Sequence, residues 1–193
     1  MPLPDSPGRT ELHIRRIEFR GFRRPDGLYD IDGHIVDTKT SPVRLEGRPI
    51  DLPAGLPIHD MWVRLVVDED LVVHDIVAIT DASPYAVCPE ATAAMGVIVG
   101  QQIKAGWSNM VKSKLGGAKG CTHLMELLIP LATAAYQTMV GVRNQRPDVL
   151  NAAGRPVKID SCYAYASHRD VVMRRWPAFH AGAAKAAADD SES

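Results

Sequence analysis

The sequence contains few cysteines, few aromatic residues, almost no net charge and no long apolar run. Its three cysteines, Cys88, Cys121 and Cys162, are too few and too scattered for a disulfide framework, so they fit a reducing compartment. A formal charge of -1 gives no general attraction to nucleic acid or to an anionic membrane. The three tryptophans do not interleave with a basic patch. We therefore expect a cytoplasmic protein that binds neither nucleic acid nor membrane.

Targeting and membrane-spanning segments are also missing from the pattern. The first residues lack the apolar core of a signal peptide, and no apolar run reaches the length of a membrane span. An apolar fraction of 46% and a charged fraction of 23% are ordinary for a globular protein. We expect a loose arm over residues 1–10, a single α+β domain over residues 11–180 and a disordered tail over residues 181–193.

The first half of the chain has the pattern of β-strands. Apolar and polar residues alternate over residues 13–24 and 28–40, and the Asp-Gly pair between these segments favours a hairpin. Residues 58–80 read as two further strands joined at Asp68-Glu69-Asp70. These segments predict an antiparallel meander of about four strands.

The second half has the pattern of helices. Apolar residues recur at helical spacing over residues 88–103, 107–117 and 122–142, and residues 168–176 predict a final short helix. Residues 157–167 are consistent with a late strand. Strands followed by helices predict an α+β fold with the helices packed on one face of the sheet.

The stretch GGAKGCTHLMELL, residues 116–128, places Cys121 and His123 at a helix entrance, with Thr122 as a plausible N-cap. The first turn of a helix favours negative charge, which suits a thiolate that acts as a nucleophile or a metal ligand. The alternative is a small buried cysteine beside an exposed histidine. Both interpretations are compatible with these residues alone.

A second group favours metal binding. His59 and Asp60 begin one predicted strand, and Cys88 follows the return strand, so these residues lie at one end of an antiparallel pair. If the helix that starts near Thr122 docks at that end, five side chains converge. The predicted ligands are His59, Asp60, Cys88, Cys121 and His123. Nitrogen and thiolate donors suit zinc, iron or an iron–sulfur cluster, and Cys162 is a further candidate ligand.

Charged residues crowd the first hairpin and the strand that follows it. The simpler interpretation is a solvated sheet face whose ion pairs contribute little to stability. Alternation places Asp30, Asp32 and His34 on one face, where they can form a substrate pocket instead. In that interpretation the catalytic residues are His34, Asp30, Arg64 and Tyr85, and the substrate-binding residues are Arg24, Asp32 and Lys39.

One resemblance concerns the order of candidate ligands. His59 followed by Asp60, then VDEDLVVHDIVAIT, Cys88, and later Cys121 at the start of a long helix resembles the iron–sulfur scaffold fold of the NifU/IscU type. In that family three cysteines and an aspartate occupy these places. The resemblance implies that His59 replaces the first cysteine. The glycine between the first cysteine and the aspartate is absent here, and His123 follows its cysteine rather than preceding it.

A second resemblance covers nearly the whole chain. The segments RRPDGLYDIDGHIVDTK, HDMWVRL, PYAVC and GCTHLMELL, in this order, resemble a bacterial family, the domain of unknown function DUF2889. This resemblance implies a fold family and no established activity.

Three functions are compatible with these patterns. The first is a metal-dependent enzyme, of lyase or decarboxylase type, that acts on a small organic acid, aromatic acids included. The second is a non-catalytic carrier of a metal or an iron–sulfur cluster. The third is a metal-free enzyme with Cys121 as its nucleophile and His123 or His59 as its base. Homo-oligomerisation is compatible with each of them.

Overall fold

The computed structural model describes residues 7–47 and 49–182, and the chain divides into two compact units, Met1–Arg143 and Asn144–Ser193. Residues 1–6 of the expected arm and residues 183–193 of the expected tail lie outside the described residues. Each unit has a buried apolar core of its own. The expectation of one domain over residues 11–180, which spans both units, stays a prediction.

Four antiparallel strands form a meander in the first unit, which confirms the predicted α+β class and strand pattern. The strands follow one another across the sheet in chain order: β1 (His13–Arg23), β2 (Tyr29–Lys39), β3 (Pro57–Val67) and β4 (Val73–Ala82). The β1–β2 turn is fixed by Asp26, whose carboxylate accepts a hydrogen bond from the Leu28 N–H at 3.2 Å. Asp68 closes the β3–β4 turn by accepting from the N–H groups of Asp70 and Val72, each at 2.9 Å.

The two faces of this sheet differ in burial. Along β2, the odd-numbered residues from Tyr29 to Asp37 are buried, whereas the even-numbered residues from Asp30 to Val36 are partly exposed. The strand period of two residues continues on β3, where Met61, Val63, Leu65 and Val67 are buried and Trp62 and Arg64 are exposed. We call the side of the odd-numbered residues the helix-covered face and the opposite side the open face.

Helix α2 (Thr122–Thr138) covers the first of these faces. Its buried residues recur at helical spacing and pack with the core residues of β2 and β3: Leu124, Leu127, Leu128, Leu131 and Ala135. Gly21 on β1 allows a close approach, because a Cβ atom there would lie 1.8 Å from Thr138 Oγ1. The helix therefore lies directly on the sheet, as predicted.

Helix α1 (Trp107–Leu115) packs against α2, and the Trp107 indole N–H donates to the Leu128 carbonyl oxygen at 2.9 Å. A single 3-10 turn, Gly117–Lys119, connects α1 to α2, and a short helix α3 (Val140–Arg143) follows α2. Within the described residues, no helix combines the length and the apolar character that a membrane crossing needs.

The helix predicted to start at Cys88 is a 3-10 helix, Cys88–Ile98, rather than an α-helix. Its two buried residues, Met95 and Ile98, are three positions apart, and the half-buried Thr92 lies three positions before them. This spacing matches three residues per turn, so the tighter helix keeps one narrow apolar edge against the sheet.

The second unit is built of short helices and turns around Ile159, Val172 and Trp176. They are α4 (Asp170–Arg175) and the 3-10 turns Tyr163–Tyr165 and Pro177–Phe179. Asp148 ties the unit together by accepting hydrogen bonds from Lys158 Nζ at 3.0 Å and from the Trp176 indole at 2.7 Å.

The prediction of a strand over residues 157–167 is wrong. Asp160 has a φ of 64°, in the left-handed region, which interrupts an extended chain. Its carboxylate then accepts a hydrogen bond from the Ser167 N–H at 2.8 Å, so the segment folds back on itself.

Candidate metal centre

A buried carboxylate, Asp37, lies near the end of β2 on the helix-covered face and is only 2% exposed. Arg15, its cross-strand partner on β1, donates from Nε to Asp37 Oδ1 at 2.7 Å and from Nη2 to Oδ2 at 2.8 Å. His13 Nε2 lies 2.8 Å from Oδ1. Two side chains of the edge strand therefore hold both oxygens of a buried acid.

Two histidines approach this acid from other elements. His59 is the partner of Asp37 in the β2–β3 register, and its Nδ1 lies 3.1 Å from Asp37 Oδ2. His123 is in the first turn of α2, and its ring lies over that of His59, with centroids 3.8 Å apart and planes tilted by 35°. The sheet and the helix entrance thus meet at one point, as the sequence predicted for His59 and His123.

The donor atoms of Asp37, His59 and His123 lie within 4.8 Å of one another. Among residues 7–47 and 49–182, no other group of three or more His, Cys, Asp or Glu side chains has ligand atoms close enough to share one ion. One carboxylate oxygen and two imidazole nitrogens suit zinc or iron(II), which bind such sets with further positions open.

Burial and charge set the protonation states of these residues. Burial raises the pKa of Asp37, but the hydrogen bonds from Arg15 and His13 and the nearby positive charge outweigh it and lower that pKa to about 2. Burial is the main cause that lowers the pKa of His59, and burial followed by the charge of His59 lowers the pKa of His123. At neutral pH the acid is ionised and both imidazoles are neutral, which are the forms that bind metal.

Two cysteines border the group. Cys121 precedes α2 as its N-cap residue, and its Sγ lies 4.0 Å from His123 Nδ1. An open cleft of about 520 Å³ is lined by Cys121 and His123 on one side and by Cys88 on the other, with Lys119 beside them. The structure therefore brings both predicted cysteines to one cleft, next to the metal-ligand group and not inside it.

The glycine-rich stretch before Cys121 makes this placement possible. At Gly116 a Cβ atom would lie 2.4 Å from the Lys112 carbonyl oxygen, so the chain can turn sharply out of α1 only without a side chain there. The turn that follows delivers Cys121 to the entrance of α2.

Asp60, predicted as a ligand, is on the open face. Its Oδ1 lies 2.7 Å from His34 Nε2, and the His34 ring stacks on Trp62 with centroids 3.6 Å apart and planes 7° from parallel. Adjacent residues of a strand point to opposite faces, so Asp60 and His59 cannot both face α2.

The other predicted catalytic and substrate-binding residues of the open face are paired with one another. Arg64 donates to both oxygens of Asp32, at 2.6 and 2.7 Å. Arg24 donates to Asp26 at 2.6 Å and to Asp30 at 3.4 Å. The arginines expected to hold a substrate carboxylate are thus already neutralised by carboxylates of the chain.

Three further candidates lie elsewhere. Tyr85 is 51% exposed in the loop after β4 and lines a different cleft from Cys121. Lys39 ends β2 opposite His13, and its carbonyl oxygen accepts from the Gly55 N–H at 2.9 Å. Cys162 is exposed in the second unit.

The sequence interpretation missed Asp37 and its two partners on β1. The signal was present in the alternation: Asp37 shares the parity of Tyr29, Ile31 and Ile35, so it is an acid on the apolar side of its strand. A charged residue at a core position needs a partner. Arg15 and His13 lie on the same face of the neighbouring strand and can supply it.

Comparison with known proteins gives one match. A family model described as a protein of unknown function (DUF2889) matches residues 13–137, well over half of the chain. No curated protein and no solved structure matches. The likeness to the iron–sulfur scaffold fold therefore stays a prediction.

Proposed function

For this chain, which belongs to the DUF2889 family, we propose a metal-dependent enzyme that acts on a small organic acid. The observation that carries the proposal is the convergence of Asp37, His59 and His123 at the end of the sheet. Metal–ligand distances of about 2.0–2.2 Å put neighbouring donors of a tetrahedral site about 3.3–3.6 Å apart. The 3.1 Å between Asp37 Oδ2 and His59 Nδ1 is close to that spacing.

The surroundings of Asp37 support a resident metal. Metal-binding carboxylates and imidazoles are usually held by hydrogen bonds from a second layer of residues, which fix their orientation. Arg15 and His13 supply such bonds to Asp37 from β1. The ligand group contains no sulfur among the described residues, so zinc or iron(II) fits it better than an iron–sulfur cluster.

The cleft beside Cys121 supports an acidic substrate. Lys119 lines this cleft, and its ammonium group donates to the Ser113 carbonyl oxygen at 2.8 Å, a neutral partner that leaves the positive charge in place. The first turn of α2 carries no acidic residue and no side-chain cap, so its backbone N–H groups add to the positive potential. Glu90 also lines this cleft, so a substrate carboxylate fits beside Lys119 and the first turn of α2, next to His123, rather than beside Glu90.

The reaction class follows from these groups. A zinc or iron ion, when bound, polarises a carbonyl oxygen and stabilises the charge that a lyase or decarboxylase reaction develops. In the proposal, Lys119 binds the substrate carboxylate. Cys121, beside His123, donates or accepts the proton. His34, Asp30 and Arg64 are on the open face and take no part.

The test is metal analysis of the protein purified anaerobically and reconstituted with zinc or iron(II). We expect about one equivalent of metal in the wild type, its loss in His59→Gln and His123→Gln, and its retention in His34→Gln, the matched control on the open face. Less than about a tenth of an equivalent in the reconstituted wild type would overturn the proposal. Turnover of small keto, hydroxy and aromatic acids, followed by NMR, then tests the substrate class.

One observation favours a second candidate, a metal-free thiol enzyme: the 4.0 Å between Cys121 Sγ and His123 Nδ1. Alkylation by iodoacetamide separates the two functions. If metal binds, zinc should slow the alkylation of Cys121 and leave that of the exposed Cys162 unchanged. If Cys121 is the nucleophile, a chelator should leave turnover intact, and Cys121→Ser should abolish it.

A further inference from the structure

A second cleft lies on the β4 side of the same sheet end and has a different chemical character. It has a volume of about 760 Å³ and is bordered by the start of β3, the end of β4 and the chain segment before β3. We call it the Tyr85 cleft, after the exposed aromatic ring in its wall. It shares no lining residue with the cleft beside Cys121.

The charged residues that line the Tyr85 cleft are both acids, Glu46 and Asp81. No lysine, arginine or histidine of the described residues lines it. The lining surface is divided about equally between polar and apolar atoms, and the apolar part includes Leu56 and Pro57. The cleft therefore favours a ligand that carries positive charge on an apolar body.

Tyr85 supports the same ligand class independently. Its side chain is 51% exposed, while its backbone carbonyl oxygen accepts a hydrogen bond from the Cys88 N–H at 3.2 Å. The loop is thus held to the start of the 3-10 helix, and the ring stands in the cleft. An aromatic ring beside carboxylates is the arrangement that attracts ammonium groups, because the face of the ring is electron-rich.

A buried hydroxyl group adds a third observation. Thr80 lines the cleft, yet its Oγ1 atom is shielded from solvent and has no hydrogen-bond partner among the described residues. A hydroxyl group both donates and accepts, so Thr80 marks an unsatisfied polar atom at the cleft wall but does not by itself choose between an ammonium and a carboxylate ligand.

From these observations we propose that the Tyr85 cleft binds an organic cation, a primary or methylated ammonium group on an apolar body. The carboxylates of Glu46 and Asp81 and the ring of Tyr85 hold the charge, and Leu56 and Pro57 contact the apolar body. This site goes beyond the proposed function, because it requires neither the metal-ligand group nor Lys119.

The test uses three probes with one apolar body: 2-phenylethylammonium, phenylacetate and 2-phenylethanol. Binding is followed by titration with ¹⁵N-resolved NMR of the full chain in the presence of a chelator. We expect the ammonium probe to bind about tenfold more tightly than the other two and to shift the amide signals of Thr80 and Tyr85. Equal affinity for the ammonium and the carboxylate probe would overturn the proposal.

Variants locate the site. Asp81→Asn and Tyr85→Leu should each weaken binding of the ammonium probe about three- to tenfold. Asp75→Asn removes an exposed acid from the same strand outside the cleft and should leave the affinity unchanged. Similar weakening in all three variants would show that the probe responds to net charge, which contradicts a built site.

Thr80→Val gives a readout that a general electrostatic effect would not produce. Valine has the shape of threonine without the hydroxyl, so the variant should weaken probe binding while the unliganded protein becomes no less stable. Probe binding at wild-type strength in this variant, together with wild-type binding in Asp81→Asn, would overturn the proposal. Because the experiment uses metal-free protein, its failure leaves the metal proposal untouched, and failure of metal binding leaves this one untouched.

Discussion

The two faces of the sheet carry the same kinds of residue in different arrangements. On the open face, Asp32 pairs with Arg64 and Asp60 with His34, and the side chains are between 16% and 49% exposed. On the helix-covered face, the Asp37 side chain is 3% exposed and is shared by Arg15, His13 and His59. Ion pairs that are exposed to water contribute little to the free energy of unfolding. Removing one partner of a buried acid lowers that free energy much more.

This difference also separates the two sets of candidate functional residues. The open face offers completed pairs, with Arg64 bonded to both oxygens of Asp32 and Arg24 bonded to Asp26 and Asp30. The helix-covered face offers one ionised acid and two neutral imidazoles whose donor atoms lie within 4.8 Å of one another. Burial, rather than residue type, is what makes the second group a candidate site.

Replacing one acid on each face gives the largest contrast. Asp37→Asn removes the buried charge that Arg15, His13 and His59 share and should lower the free energy of unfolding by about 3 kcal/mol. Asp32→Asn removes the partner of the exposed Arg64 side chain and should cost less than about 1 kcal/mol. Urea unfolding with a chelator present measures both, and equal losses would abolish the distinction between the faces.

The pH dependence of the free energy of unfolding tests the same carboxylate without replacing a residue. The pKa of Asp37 is about 2 in the folded chain and about 3.9 in an unfolded one, so folding favours its ionised form. Its contribution, between about 2 and 3 kcal/mol, is therefore present above pH 4 and is lost as the pH falls towards 2. The free energy of unfolding of Asp37→Asn should lack this step.

The two imidazoles add a second step at higher pH. The pKa values of His59 and His123 are lowered in the fold, so the unfolded chain binds protons first as the pH falls below about 6.5. Stability should decrease over that window in the metal-free protein and decrease less in His59→Gln. A flat profile between pH 7 and pH 5 would contradict the burial of these rings.

The contact between α2 and β1 tests how closely the helix-covered face is packed. Gly21→Ala places a methyl group against Thr138 and should lower the free energy of unfolding by about 2 kcal/mol. Gly141→Ala is the matched control, because nothing lies within 4 Å of the added carbon, and it should be neutral or slightly stabilising. A tolerated Gly21→Ala would mean that the C-terminal end of α2 is not closely packed on β1.

The smallest effect is expected for Arg64→Lys on the open face. Lysine keeps the charge but cannot donate to both oxygens of Asp32, and the loss at this exposed pair should be about 0.5 kcal/mol. The corresponding Arg15→Lys should cost more, since Asp37 is buried. The comparison of the two variants by thermal unfolding isolates the effect of burial from that of geometry.

Local patterns predicted most of the fold. Residues 13–24 and 28–40 alternate and are joined by an Asp-Gly turn, and the structure has strands at His13–Arg23 and Tyr29–Lys39. The long helix from Thr122 was equally visible, because its apolar residues recur at helical spacing. The segment at residues 157–167 was not, since the left-handed Asp160 and its bond to Ser167 leave no mark on hydrophobic periodicity.

The candidate site was predicted in part. His59 and His123 were found because each begins an element at the same end of the sheet. Asp37 could have been found by following the alternation of buried and exposed residues to the end of β2. Asp60 was assigned to the group although the alternation along β3 places it on the opposite face from His59. The partners on β1 depend on pairing register, which the hairpin fixes and which a search for ligand types alone does not consider.

The three tryptophans make the parts of this molecule separately observable. Trp62 is stacked on His34 at the open face, Trp107 is buried between α1 and α2, and Trp176 is buried in the second unit. Variants that retain a single tryptophan would therefore emit from one region each, with the indole of Trp62 partly in water and the other two shielded from it. Fluorescence can then show whether the core, the sheet surface and the C-terminal unit melt together or in turn.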